Sequence, residues 1–152
     1  MDLVTISENI LRDCLGAKAG EEVYIVTDDT RVPIAQALYE GAKNLGCEAM
    51  VTVMKERELN GQEPPKAVAA AMKAADIVIC PTAKSLTHTN ARIQAVAEGT
   101  RVATMPGITE EMFSQGAMTA DYSAVAALTA KITDLLTECR TAKIEKDGCV
   151  LT

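Results

Sequence analysis

The sequence has 152 residues, 48% of them hydrophobic, and a net charge of −6. A chain of this size buries about two-thirds of its unfolded surface, which suits one compact domain. Its basic residues are scattered, and because nucleic acids and anionic membranes need clustered Lys and Arg, we expect neither as a partner. No apolar stretch approaches the roughly 18 to 20 residues that span a bilayer, and Asp2 stands where a signal peptide carries positive charge, so a cytoplasmic protein is predicted.

The cysteines form an odd set without the Cys-x-x-Cys spacing that is typical of metal and redox sites. Their positions predict small core side chains in a reducing compartment rather than disulfides or metal ligands. The five are Cys14, Cys47, Cys80, Cys139 and Cys149.

The chain opens with a predicted helix over residues 3–15, where apolar side chains recur at helical spacing. Thr5 and Glu8 are in capping-box register, and Gly16 is placed to end the helix. The uninterrupted apolar run 23–26 then predicts a strand that is buried on both faces.

A second helix and strand follow in the same order. Pro33 suits the first turn of a helix that Gly46 ends, and residues 49–53 predict the second strand. Residues 55–65 are polar, contain a glycine and end in two prolines, which indicates a long surface loop.

The alternation continues with a helix over residues 68–75 and a strand over 77–80, which Pro81 is expected to end. A polar segment that becomes helical covers residues 85–98, and a fourth strand covers 101–104. Parallel strands joined by such helices are typical of doubly wound sheets.

The last elements are a turn at residues 105–107, a short helix after Thr109 and a long helix that begins at Asp121. The long helix has one apolar stripe, formed by Val125, Leu128, Ile132, Leu135 and Cys139. Segments 142–146 and 149–152 flank Asp147-Gly148, a strong signal for a two-residue hairpin turn.

These elements predict an α/β fold of three layers, with a mainly parallel twisted sheet and helices on both faces, in a Rossmann-like or flavodoxin-like arrangement. We assign residues 1–141 to this domain and residues 142–152 to the start of a hairpin or of a second domain that is cut here. Ligands of such sheets bind beyond the carboxyl ends of the strands, so segments 28–31, 81–92 and 105–109 are the ones of interest.

The segment after the first strand contains Asp28, Asp29 and Arg31 but no glycine fingerprint for a dinucleotide, and the chain has no phosphate-binding P-loop. The two aspartates have two interpretations. They suit a helix N-cap and a first-turn charge, or they are Mg²⁺ ligands as in phosphoacceptor domains. The second interpretation lacks its acceptor aspartate, because the third strand ends in Cys80-Pro81-Thr82.

The only histidine of the chain, His88, lies among hydroxyl side chains at the expected binding edge. These residues suit helix caps and loop backbone bonds, or they face a substrate or an active site that another domain completes. The candidates for substrate or interface contact are Ser85, Thr87, His88, Thr89 and Arg92. Because one imidazole cannot make a multi-histidine centre and no His-Glu-x-x-His motif is present, we assign no catalytic residue, metal ligand or cofactor within this chain.

Residues 85–92 and 99–109, together with the opening segment 16–23, resemble the amino-terminal half of the leucyl aminopeptidase family of thermophilic metalloproteases, aminopeptidases T and S. That family also has relatives among the dihydroxypyridine ring-cleaving dioxygenases. The resemblance implies a dimeric, two-domain hydrolase that removes N-terminal residues from peptides with divalent metal ions such as Zn²⁺ or Co²⁺. The metal ligands of the family lie in the second half, so the resemblance implies a missing carboxy-terminal catalytic domain as partner, with residues 85–89 bordering the shared cavity. The alternatives are a self-standing module that binds a small ligand and a dimerisation domain.

Overall fold

The computed structural model of the protein describes residues 2–152, and the chain packs as two units, Met1–Thr119 and Ala120–Thr152. The predicted boundary at residue 141 stays a prediction, because packing alone does not test which segments fold together. Within residues 2–152 no helix is both long and apolar enough to cross a membrane.

The first unit contains a sheet of four parallel strands in the order β2-β1-β3-β4. Each strand was predicted, and each is longer than its apolar run. Their bounds are Glu22–Asp28 for β1, Glu48–Met54 for β2, Ile77–Thr82 for β3 and Arg101–Pro106 for β4.

Helices cover both faces of this sheet, which confirms the predicted three-layer α/β fold. Helices α1 (Leu3–Asn9, extended by a π-helical turn to Cys14), α2 (Val32–Asn44) and α5 (Glu110–Ser114) share one apolar core with one face of the strands. Helices α3 (Lys66–Ala74) and α4 (Asn90–Ala97) share a second core with the other face. Alternate residues of β1 separate accordingly, with Val23 and Ile25 in the first core and Tyr24 and Val26 in the second.

Two local predictions are wrong. The first helix is capped by Asp2 and not by Thr5: the Asp2 carboxylate accepts a bond from the Thr5 amide at 2.8 Å, which lowers the pKa of that carboxyl.

Pro81 does not end β3, which continues to Thr82. The amide and carbonyl of one strand residue point the same way, and the Pro81 carbonyl accepts the Thr27 hydroxyl of β1 at 2.9 Å. The missing Pro81 N–H therefore faces β1, whose pairing with β3 ends at Ile79.

The cysteine prediction holds for two of the five. Cys47 and Cys80 are buried, and complete burial raises the pKa of the Cys80 thiol to about 12. The prediction is wrong for Cys14, Cys139 and Cys149, which are exposed. An apolar pattern in the sequence around a cysteine therefore does not by itself place its side chain in a core.

The second unit contains α6 (Tyr122–Glu138) and an antiparallel hairpin of β5 (Ile144–Lys146) and β6 (Cys149–Leu151). Asp121 caps α6 as predicted, accepting a bond from the Ala124 amide at 3.1 Å. The predicted hairpin turn is also present, with positive φ at Asp147 and at Gly148. The predicted stripe of α6 is exposed, with Leu128 62% accessible, so its pattern specifies a helix but not a core position.

Helices α1 and α2 approach each other closely at Gly41. A Cβ atom at this position would lie 2.9 Å from the Ser7 Cβ and 3.1 Å from the Glu8 amide nitrogen. Both of these atoms belong to α1 and have little freedom to move aside, because Ser7 is buried and its hydroxyl donates to the Leu3 carbonyl at 2.7 Å.

We therefore expect Gly41→Ala to lower the free energy of unfolding by about 1 to 2 kcal/mol. Overpacking costs roughly 1 to 3 kcal/mol, and we expect the upper part of this range, about 2 to 3 kcal/mol, because neither contacted atom can move aside. The helix-propensity gain of about 1 kcal/mol for Gly to Ala offsets part of this cost. Urea denaturation measures the change. Gln36→Ala, on the exposed face of the same helix, is the control and should stay within about 0.5 kcal/mol. A Gly41→Ala variant as stable as the wild type would contradict the close approach.

Candidate functional site

The three segments of interest begin where neighbouring strands end. Strand β1 ends at Asp28, β3 at Thr82 and β4 at Pro106, all on the carboxyl edge of the sheet. The chain leaves β1 toward α2 on one face and leaves β3 toward α4 on the other face. The edge between β1 and β3 is therefore the point where a doubly wound sheet opens a crevice.

Asp28 is a buried carboxylate, 1% exposed, that joins the loops after β1 and β3. It accepts bonds from the Thr30 amide at 3.0 Å, the Thr30 hydroxyl at 2.5 Å and the Ala83 amide at 2.6 Å. The N-cap interpretation of Asp28 and Asp29 is wrong, since Arg31 occupies the N-cap position of α2. Asp28 instead makes an Asx-type turn and a cross-loop bond, while Asp29 is exposed.

Arg31 lies beside a small cavity of about 200 Å³ between the loops after β1 and β4, lined also by Thr30, Thr109 and Glu110. Its Nη1 donates to the Thr30 carbonyl at 3.0 Å. Its Nε is fully buried and has no hydrogen-bond partner among the described residues. Because that nitrogen is covered, the present position of Arg31 offers only the outer part of the guanidinium to a ligand.

The hydroxyl groups before His88 bond to each other and to β4. The Ser85 Oγ donates to the Thr87 Oγ1 at 3.0 Å and accepts from the Thr87 amide at 3.2 Å. The Thr87 Oγ1 is also 2.8 Å from the Thr104 Oγ1 of β4. Thr104 was not among the predicted residues, because only the register of β3 with β4 brings it to this position.

Thr89 and Arg92 have structural roles here. Thr89 is buried and caps α4, accepting from the Arg92 amide at 3.3 Å and donating to the Leu86 carbonyl at 2.7 Å. The Arg92 Nε donates to the Thr87 carbonyl at 2.8 Å. The capping interpretation is therefore correct for Thr89, and Arg92 holds the backbone immediately before His88.

His88 is exposed and lies in the chain between Thr87 and Thr89, whose side chains are both hydrogen-bonded. Its neighbours in the chain are held by β4 through Thr87 and by the cap of α4 through Thr89. The result is an imidazole that a rigid backbone presents at the carboxyl edge, which suits contact with a substrate or with another domain.

The loop between β2 and α3 also holds this segment, and sequence reasoning missed it. The Ser85 amide donates to the Asn60 Oδ1 at 2.8 Å, and the Gly61 amide donates to the Ser85 carbonyl at 2.8 Å. The Glu63 carboxylate accepts from the amides of Asn90, at 2.6 Å, and Ala91, at 3.1 Å. No spacing in the sequence relates residues 60–63 to residues 85–91.

A divalent metal does not fit the residues at this edge. Among residues 2–152 no group of three or more His, Cys, Asp or Glu side chains could hold a metal ion. The Asp28 oxygens already accept three hydrogen bonds, and His88 and Asp29 do not form part of any such cluster. A larger, mainly apolar cavity of about 480 Å³ beside α5 is lined by residues such as Ile108, Met112 and Met118, and by none of the predicted site residues.

Comparison with known proteins supports the fold. No family model matches the chain, and no curated protein matches it. Among solved structures it is similar to 2,5-dihydroxypyridine dioxygenase from Pseudomonas putida KT2440, with a TM-score of 0.69 and 17% identity over 97% of this chain and 45% of that one. It is also similar to a fatty acid ABC transporter substrate-binding protein from Thermomonospora curvata, with a TM-score of 0.52 and 15% identity over 90% of this chain and 40% of the other.

The chain thus spans less than half the length of either similar structure. The first of them agrees with the predicted likeness to dioxygenases of dihydroxypyridines, at the level of the fold. Neither is an aminopeptidase, so the resemblance to that family stays a prediction. What the comparisons establish for this chain is a parallel α/β fold.

We expect Asp28→Ala to lower the free energy of unfolding by about 1 to 3 kcal/mol, because it leaves two loop amides without their buried acceptor. Asp28→Asn should cost less, since its amide oxygen still accepts one of these bonds. Urea denaturation compares both with Asp29→Ala, the exposed neighbour, which should stay within about 0.5 kcal/mol. Equal effects at positions 28 and 29 would show that the cross-loop bond contributes nothing to stability.

Proposed function

We propose that this chain is the amino-terminal α/β domain of a metal-dependent aminopeptidase-like hydrolase. In this proposal His88 contacts the substrate, and the metal ligands come from polypeptide outside residues 2–152. The observation that carries it is the exposed His88 imidazole, whose neighbouring residues are held at the carboxyl edge by hydrogen bonds from one strand, one loop and one helix cap. Rigid support of this kind is what a group that acts on a substrate requires.

His88 supplies acid–base chemistry in this proposal. Imidazole is the side chain that most often gives or takes a proton in enzymes near neutral pH. Peptide hydrolysis needs a proton on the leaving amine, and His88 would deliver it from the edge of this domain. Ser85, Thr87 and Arg92 hold the backbone around the imidazole.

A dihydroxypyridine dioxygenase is the second candidate, since the similar structure with a TM-score of 0.69 has that activity in its name. The two candidates share the placement of His88 and differ in the reaction that the other half of the protein performs. A self-standing module that binds a small ligand through the same edge is the alternative to both. We further propose a homodimer located in the cytoplasm, where the five free cysteines would stay reduced.

The test uses the complete natural gene product, supplied in turn with Zn²⁺, Co²⁺, Mn²⁺ and Fe²⁺. Hydrolysis of leucine amide and oxygen uptake with 2,5-dihydroxypyridine are measured for the wild type, for His88→Ala and for the control Gln94→Ala. We expect metal-dependent turnover in the first assay. Loss of a general acid should lower kcat by about 10²- to 10⁴-fold in His88→Ala, and the exposed Gln94 of α4 should be dispensable.

Each outcome decides between the candidates. Turnover of the pyridine alone replaces the hydrolase with the dioxygenase. Full activity of His88→Ala removes His88 from the site, and the absence of turnover in both assays with every metal contradicts both enzyme candidates.

A further inference from the structure

One surface loop contacts the backbone on both sides of His88. Asn60 and Gly61 bond to the amide and the carbonyl of Ser85, three residues before the histidine, at 2.8 Å each. Glu63 bonds to the amides of Asn90 and Ala91, two and three residues after it. The four bonds cross from residues 60–63 to residues 85–91, so this short stretch of loop spans the whole His88 segment.

The Glu63 contact has a clear physical basis. Asn90 and Ala91 are the first two residues of α4, whose amides have no partner within the helix. A carboxylate that accepts from both is favoured by its charge, since the amino end of a helix is electropositive. Thr89 takes the next amide, that of Arg92, at 3.3 Å. The amino end of α4 is thus filled by the protein's own side chains, so it is a fixed anchor and not a site for an anion.

The loop is itself ordered by internal bonds. The Gln62 Oε1 accepts from the amides of Glu58, at 2.8 Å, and Leu59, at 3.4 Å. The Gln62 backbone amide in turn donates to the Leu59 carbonyl at 3.3 Å. These bonds fold the loop back on itself, so that Asn60 and Glu63 reach the His88 segment from a preformed turn. Ordering the loop before the contact is made lowers the entropy cost of holding the segment.

We propose that Asn60 and Glu63 are positioning residues for His88. They act through the backbone of residues 85 and 90–91 and fix the direction in which the imidazole leaves the carboxyl edge. The role in catalysis rests on the function proposed above, whereas the geometric claim concerns this chain alone. The loop after β2 therefore controls a side chain that follows β3.

His88 provides its own readout in a sample of residues 1–152, because it is the only histidine among them. Its ring gives one set of imidazole signals in nuclear magnetic resonance spectra, and amide exchange of residues 85–91 reports on the backbone in the same samples. The variants are Glu63→Ala, Glu63→Gln and Asn60→Ala. Glu58→Ala is the matched control, because Glu58 is an exposed carboxylate of the same loop and lies outside the four bonds.

We expect Glu63→Ala to speed exchange of the Asn90 and Ala91 amides by about 10- to 100-fold, the loss expected for a hydrogen bond to a charged group. The His88 ring signals should shift and broaden in the same variant, because the imidazole then samples several directions. Glu63→Gln should give an intermediate change, since one amide oxygen replaces two carboxylate oxygens. Asn60→Ala should alter the ring signals through residue 85, and Glu58→Ala should alter neither readout.

Faster amide exchange with unchanged His88 signals in Glu63→Ala and Asn60→Ala would overturn the proposal, because the loop would then only stabilise α4. If Glu63→Ala fails to fold, Glu63→Gln and Asn60→Ala decide the matter by the same criterion. Failure of the proposed function is a separate result: the wild type would then show no turnover, or His88→Ala would keep full activity, while the loop variants still move the ring signals.

Discussion

The carboxylate of Asp28 is the interaction on which the geometry of the carboxyl edge depends. It lies at the end of a central strand and accepts a bond from the first residue after the neighbouring central strand. The two chain segments then diverge to opposite faces of the sheet, so few apolar contacts can hold them together at this point. A buried carboxylate with three donors is strong enough to do so, because hydrogen bonds to charged groups are about twice as strong as neutral ones.

The protein thus uses two kinds of interaction for two purposes. Apolar side chains of both cores fix the sheet and the positions of its helices. Polar bonds fix the edge, where Asp28 anchors residue 83, Thr104 anchors Thr87 and the loop after β2 anchors residues 85, 90 and 91. Apolar attraction has no preferred direction, whereas these bonds depend on direction. The bonds therefore orient the loops at the edge, as a site that orients a substrate requires.

The sequence predicted the fold because each strand and helix has a local signature. The apolar run 23–26 and the Asp-Gly turn at residues 147–148 are examples that need no distant residue. The prediction that Pro81 ends β3 was wrong, because a proline interrupts a strand only where the neighbouring strand needs its missing N–H, and β1 no longer pairs with β3 at that position. The bonds of Asn60, Glu63 and Thr104 could not be predicted, since each joins residues 17 to 28 positions apart. The apolar stripe of α6 correctly predicted a helix, but periodicity alone does not say whether the stripe is buried.

The strand order β2-β1-β3-β4 has a consequence for how the chain folds. Strands β1 and β3 are neighbours in the centre of the sheet, yet α2, β2 and α3 lie between them in sequence. The bond from Thr27 to Pro81 joins residues that are 54 positions apart. Closing such a loop costs chain entropy before the new contact adds stability, and this entropy cost slows folding. During synthesis the centre of the sheet cannot assemble until residue 82 has left the ribosome, and until then β1 has only its edge partner β2.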